Sequence, residues 1–161
     1  MHAYQHQGSL QTLAEGLAEY GAVHPGLLAG RALSQEAREF FRCHDAVHVV
    51  FGCSTALDDE AVVKIASIFG TTGGLSVLRG YRLTETLGIY RQLDLGPVLR
   101  SIAHSALVVP RTLVRCLRQR HRWPWSAHER YLSATLADIR QEFGIRVAHR
   151  APRNTVKPGL P

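Results

Sequence analysis

"SQEAREFFRCHDAVHVVFGCSTALDDE" (Ser34–Glu60) decides the fold. Ser34 is a good helix cap, and apolar residues then recur at three- and four-residue spacing through Phe51, the pattern of one helix face. Gly52 is the residue type that stops a helix. Thr55 to Asp58 carries a Ser/Thr-x-x-Asp/Glu start signal, so a further helix, "TALDDEAVVKIASIFG", is expected to run to Gly70. The stretch therefore reads as two helices meeting at Gly52-Cys53-Ser54.

That break gives the segment its chemistry. At ~100° per residue, His44, Asp45 and His48 fall within roughly one quadrant of the first helix. His44 and His48 form the i, i+4 pair that lets two imidazoles meet one ion. Asp45 can ligate beside them or orient a ring. Glu60 would lie ~18 Å along the axis from His48 on an unbroken helix, too far to share an ion. A turn at Gly52–Ser54 brings the next helix alongside and makes Glu60 available, as in helical bundles that build metal sites from two helices. The candidate ligands are His44, Asp45, His48 and Glu60. Nitrogen and oxygen donors without thiolate suit a divalent metal such as zinc, iron, manganese or cobalt. Cys43 and Cys53 point elsewhere and read as small buried hydrophobes.

The rest of the chain is helical in pattern too. Ser9 can cap a first helix with the stripe Leu10, Leu13, Leu17 and Tyr20, stopped at Gly21. His24-Pro25-Gly26 is a connector. Thr71 to Gly74 is a turn, and a fourth helix follows through Leu93, weakened by Gly80 and Gly88. A long helix from Pro97 is kinked or split at Pro110. Trp123-Pro124-Trp125 interrupts, and a last helix runs from Ser126 to Gly144. From Arg150 on, Pro, Arg, Lys and Gly dominate without period. The expected architecture is all-α, a single-domain helical bundle of about six to seven helices over residues 1–149, with a flexible basic tail over 150–161.

Composition agrees. A chain of 161 residues suffices for one domain with a real core, and 45% hydrophobic with 20% charged residues is ordinary for a globular protein. The net charge of +6, with 17 of the 19 basic residues Arg, points to an anionic surface or ligand. Three scattered Cys make no disulfide framework and suit a reducing compartment. Neither a signal or transit peptide nor a membrane span is seen, so a cytoplasmic place, or a peripheral one on the inner face of a membrane, is expected. Arg111, Arg115, Arg118 and Arg122 recur at helical spacing, with Trp123 and Trp125 next to them. This suits attachment to an anionic membrane surface, and equally a solvated face beside two core tryptophans. No nucleic-acid motif accompanies the stripe, so nucleic acid is not an expected partner.

His44-Asp45-x-x-His48, eleven residues and then Glu60 resembles the zinc-ligand motif of the Coq-four family of ubiquinone (coenzyme Q) biosynthesis proteins. Lys64 matches a family tendency four residues later. "HERYLSATLADIRQEFGI" is similar to the family's C-terminal helix through Glu129, Arg130, Leu136, Arg140, Glu142, Gly144 and Ile145. These anchors span roughly residues 38 to 146. Asp59 stands where relatives usually have Gly, and Ile65-Ala66-Ser67 replaces a Trp-Phe-Glu-type stretch. The resemblance implies zinc foremost, and a polyprenylated benzoate or phenol as the bound intermediate. It further implies a role in C1 decarboxylation with oxidation of the ring, or in organising the enzymes of quinone biosynthesis as a scaffold. A divergent relative would act on another hydrophobic aromatic. A second copy of the chain, in a homodimer, is a further expected partner. The competing reading, a His-Asp phosphohydrolase, needs an earlier His such as His24 and a later Asp such as Asp94 or Asp138, and leaves Glu60 unexplained.

Overall fold

Ser34 caps the longest described helix as its sequence signal requires, its hydroxyl accepting from the Ala37 N–H at 3.1 Å. The computed structural model describes residues 1–23, 34–81 and 108–148. In chain order the helices are α1 (Leu13–Val23), α2 (Gln35–Phe51), α3 (Leu57–Ile65), α4 (Val77–Gly80), α5 (108–117 as described) and α6 (Leu136–Phe143). A π-helical turn, Ala66–Gly70, prolongs α3, and 3₁₀ turns lie at Ala3–Gln5, Gly74–Ser76 and Trp125–Tyr131. The molecule is an all-α single domain, with no strand among the described residues. Nor is any described helix long and apolar enough to cross a membrane.

α2 is the axis of the fold. Gly52 ends it at φ 71°, and the Gly52 and Cys53 N–H groups close its last turn onto the carbonyls of Val49 and His48. Its face of Val47, Val49, Val50 and Phe51 packs in one core with Leu13 and Tyr20 of α1, Val62 and Val63 of α3, and Leu136, Ile139 and Phe143 of α6. α1 reaches α2 because Gly16 lacks a side chain. A Cβ there would sit 2.7 Å from Val49 Cγ1.

Four starts and stops differ from the sequence reading. α1 is capped by Thr12, not Ser9. The Thr12 N–H donates to Glu15 Oε2 and the Glu15 N–H to Thr12 Oγ1, a capping box, whereas the Ser9 hydroxyl turns to Gln11. Leu10 accordingly stays outside at 81% exposure, and the helix passes Gly21 to Val23. α3 is entered with Ala56 at its N-cap position, one residue beyond Thr55. The expected last helix from Ser126 is two pieces, because Thr135 opens a new capping pair with Asp138.

The N-termini of α1 and α6 satisfy each other. Leu13 and Ala14 N–H donate to the carbonyls of Ala134 and Leu132, and Leu136 and Ala137 N–H donate to those of Gln11 and Ser9. Arg140 ties a third party in. Its guanidinium, 1% exposed, donates to Val50 O at 2.8 Å, Val49 O at 2.9 Å, Tyr4 O at 2.6 Å and His6 O at 2.5 Å. A cation thus closes the C-terminal end of α2, where the helix dipole favours it. Burial lowers the Arg140 pKa to about 10.

The basic and aromatic stripe is corrected. Trp123 is fully buried against Tyr131 and Phe143, and its backbone pairs with Gly70 and Thr72, so it is a core residue and not a membrane anchor. Trp125 is half-buried, its ring 5.9 Å from that of Phe40. α5 runs through Pro110 and ends at residue 117, so Arg118 and Arg122 lie beyond it on an exposed turn. Arg115 is half-buried and donates to the carbonyls of Val147 and Ala148. What remains outward is Pro110, Arg111, Val114, Leu117 and Arg118, followed by Arg120, His121 and Arg122. The tail over 150–161, the connector at His24 and the segment holding Gly88, Asp94 and Pro97 lie outside the described residues.

Candidate metal centre

His44 and His48 sit one turn apart on the α2 face that meets α3, their ring centroids 4.6 Å apart. The turn at Gly52–Ser54 sends α3 back alongside, and Glu60, in its first turn, faces both rings. Glu60 Oε1 lies 3.3 Å from His48 Nε2, and Oε2 lies 3.8 Å from His44 Nε2. One ligand atom from each of the three residues lies within 4.8 Å of the others.

Asp45 stands apart from this triad. Its carboxylate is 3.8 Å from His44 Nδ1, and its side chain is 36% exposed. It sits on the far side of the His44 ring from Glu60, the place of a group that orients a ring. Asp138 caps α6, and His24 and Asp94 lie outside the described residues, so nothing described assembles the His-Asp phosphohydrolase pattern.

The surroundings favour an ion. His44 Nε2 and both ring nitrogens of His48 are buried without a hydrogen-bond partner, a costly arrangement for polar atoms. The two Nε2 atoms converge on one carboxylate, so a cation held between the three residues satisfies both of them. Burial is the largest influence on Glu60 and would raise its pKa. The close approach of His48 and the charges of His48, His44 and Lys64 outweigh it, and the carboxyl lies below its ordinary value. Glu60 therefore offers an ionised oxygen at neutral pH. Three protein ligands leave a tetrahedral ion one open position.

Aromatic rings close the site. Phe40 stacks on His44 at 5.6 Å, Tyr81 meets it edge-on at 5.8 Å, and Tyr20 lies 5.1 Å from His48. Lys64 Nζ rests 4.8 Å above the Tyr81 ring. Burial first, then Asp45 and Glu60, push the Tyr20 hydroxyl far above its ordinary pKa, so it remains a phenol. Tyr20 was legible only as part of a helical stripe, and Phe40 only as a helix-face apolar residue. Tyr81 carried no signal, since its place depends on α4 folding across α2. Compared with protein-family models, characterised proteins and solved structures, the chain gives no match.

Proposed function

We propose that the chain binds a divalent metal, zinc foremost, through His44, His48 and Glu60, and that it acts on a polyprenylated benzoate or phenol in quinone biosynthesis, at the C1 decarboxylation and oxidation of the ring. The observation that carries the metal reading is the convergence of two buried, otherwise unpartnered imidazole nitrogens on one carboxylate. The quinone reading rests on the resemblance of His44-Asp45-x-x-His48…Glu60 and of the Glu129–Ile145 stretch to the Coq-four family. Aromatic rings around the ligands suit a ring-bearing substrate.

A bound ion would supply Lewis acidity to a phenolate or carboxylate oxygen. The chain's own residues do the rest. Asp45 sets a carboxylate 3.8 Å from His44 Nδ1, Phe40 and Tyr81 exclude water from the rings, and Lys64 holds positive charge beside Glu60. The outward face of α5 completes the reading as a site of attachment to anionic lipid. Leu117 is 70% and Val114 44% exposed between Arg111 and Arg118, and no acid occurs from Val108 to His128.

Metal analysis of the purified protein tests the first part. About one equivalent per chain is expected, lost in His48→Ala and Glu60→Ala; full metal content in both variants overturns it. Mass spectrometry of co-purifying lipids tests the second, with polyprenyl benzoates or phenols expected and polar metabolites alone counting against it. A non-catalytic scaffold with a structural ion is the second reading, favoured by how far the ligands are enclosed. It fails if metal-free protein stays folded yet loses turnover.

A further inference from the structure

Asp59, next to Glu60 in the first turn of α3, is 4% exposed. Its Oδ2 accepts the backbone N–H and the hydroxyl of Ser54, each at 2.6 Å. The Ser54 hydroxyl in turn accepts the Ala56 N–H at 3.2 Å. Asp59, Ser54 and Ala56 thus lock the turn that follows Gly52. The other end of that turn is fixed on the first helix, where the Cys53 N–H donates to the carbonyl of His48 itself at 2.8 Å. Two adjacent residues, Cys53 and Ser54, therefore tie the carbonyl of one candidate ligand, His48, to the side chain of the residue preceding another, Glu60.

The helix geometry gives this lock a consequence. Successive side chains leave an α-helix ~100° apart, so holding Asp59 toward Ser54 fixes the rotation of α3 and with it the direction of Glu60. At ~6 Å from the axis, a rotation of about 20° moves a carboxylate by about 2 Å, enough to break a shared ligand geometry. α3 needs such a pin. Its N-cap residue, Ala56, has no side-chain oxygen to offer the first turn, and three acids crowd that turn. A carboxylate near a helix N-terminus is favoured by the dipole, so a buried Asp is stable in this place.

We infer that Asp59 is a positioning residue for metal binding, acting through Ser54 to aim Glu60 at the two imidazoles. This rests on the metal reading above. It predicts that the Asp59 carboxylate governs metal affinity more than it governs stability.

The test titrates Co²⁺ into metal-free protein, following its visible absorption, with thermal melts of the same samples. Wild type is expected to bind one Co²⁺. Asp59→Ala is expected to weaken binding at least about tenfold at temperatures where circular dichroism shows it folded, and to change the Co²⁺ spectrum. Asp59→Asn keeps an acceptor oxygen and is expected to stay within about threefold of wild type. Ser54→Ala, which removes one of the two donors, should fall between them and serves if Asp59→Ala does not fold. Ile139→Val, remote from the site, should lower the melting temperature and leave Co²⁺ affinity unchanged. Wild-type affinity and spectrum in Asp59→Ala, or in Ser54→Ala should that variant stand in, overturn the inference alone. Absence of Co²⁺ binding by wild type overturns the metal reading, and the inference with it.

Discussion

At the scale of single residues, two buried polar groups decide the architecture: the Arg140 guanidinium and the His44–His48–Glu60 cluster. Arg140 is the satisfied case, with four carbonyl acceptors and no carboxylate. Arg140→Met should cost about 3 kcal/mol in urea melts, since it leaves the buried Tyr4 carbonyl without the guanidinium that it accepts from. Arg140→Lys should rescue little, because an ammonium cannot reproduce the guanidinium fork. Glu19 gives a pH effect of defined sign. Burial alone would raise its pKa, but hydrogen bonds from Gln11, Ala3 and Tyr4 and the charge of His2 lower it below 4.5. A depressed folded-state pKa contributes stability that is present above the unfolded value and lost as pH falls through the folded one. Melting temperature should therefore drop as pH falls below about 4.5, and Glu19→Gln should flatten that part of the profile. Asp59 shows what a lone sequence leaves open. As a departure from the resembled family's Gly it hinted at a changed site, whereas its carboxylate sits in the hydrogen-bonded turn that sets Glu60.

At the scale of elements, α2 was legible from end to end because its cap, apolar period and stop glycine all agree. The helix starts at Thr12 and Thr135 carried the same Ser/Thr-x-x-Asp/Glu signal. They were overlooked because the apolar stripes continue past them, and periodicity cannot show where a chain turns. Gly80 reads in sequence as a weak point in a helix. In the fold it is where α4 lets Phe40 approach, since a Cβ there would stand 2.0 Å from the Phe40 ring. Phe40 stacks on His44, so Gly80→Ala should cost about 1–3 kcal/mol and displace the His44 side-chain signals in an NMR spectrum. Its glycine is fixed by a neighbour distant in sequence, which no local pattern encodes.

At the scale of the whole molecule, the all-α single domain followed from composition and period, and the gathering of His44, His48 and Glu60 from spacing plus one break, with Asp45 expected beside them and found apart. The surface did not follow. Spacing put four arginines on one helix face, yet α5 ends at residue 117 and Arg115 is committed to the Val147 and Ala148 carbonyls. The outward cationic face that remains makes a prediction. Sedimentation with vesicles containing anionic phospholipid should exceed that with neutral vesicles and weaken with added salt. Arg118→Glu with Arg122→Glu, or Leu117→Glu, should reduce it about tenfold or more. Equal sedimentation with neutral vesicles would count against lipid attachment.

The Arg140 clamp also sets a clock for synthesis. Its partner Val50 is made 90 residues earlier, an interval on the order of 10 s at the usual pace of translation. Through that interval the helix bearing His44 and His48 has left the ribosome without the guanidinium that closes its end, and without the α6 surface that covers it. α1 and α3 are made with or soon after α2 and can pack on it meanwhile, whereas the α6 side of the core waits for the last segment.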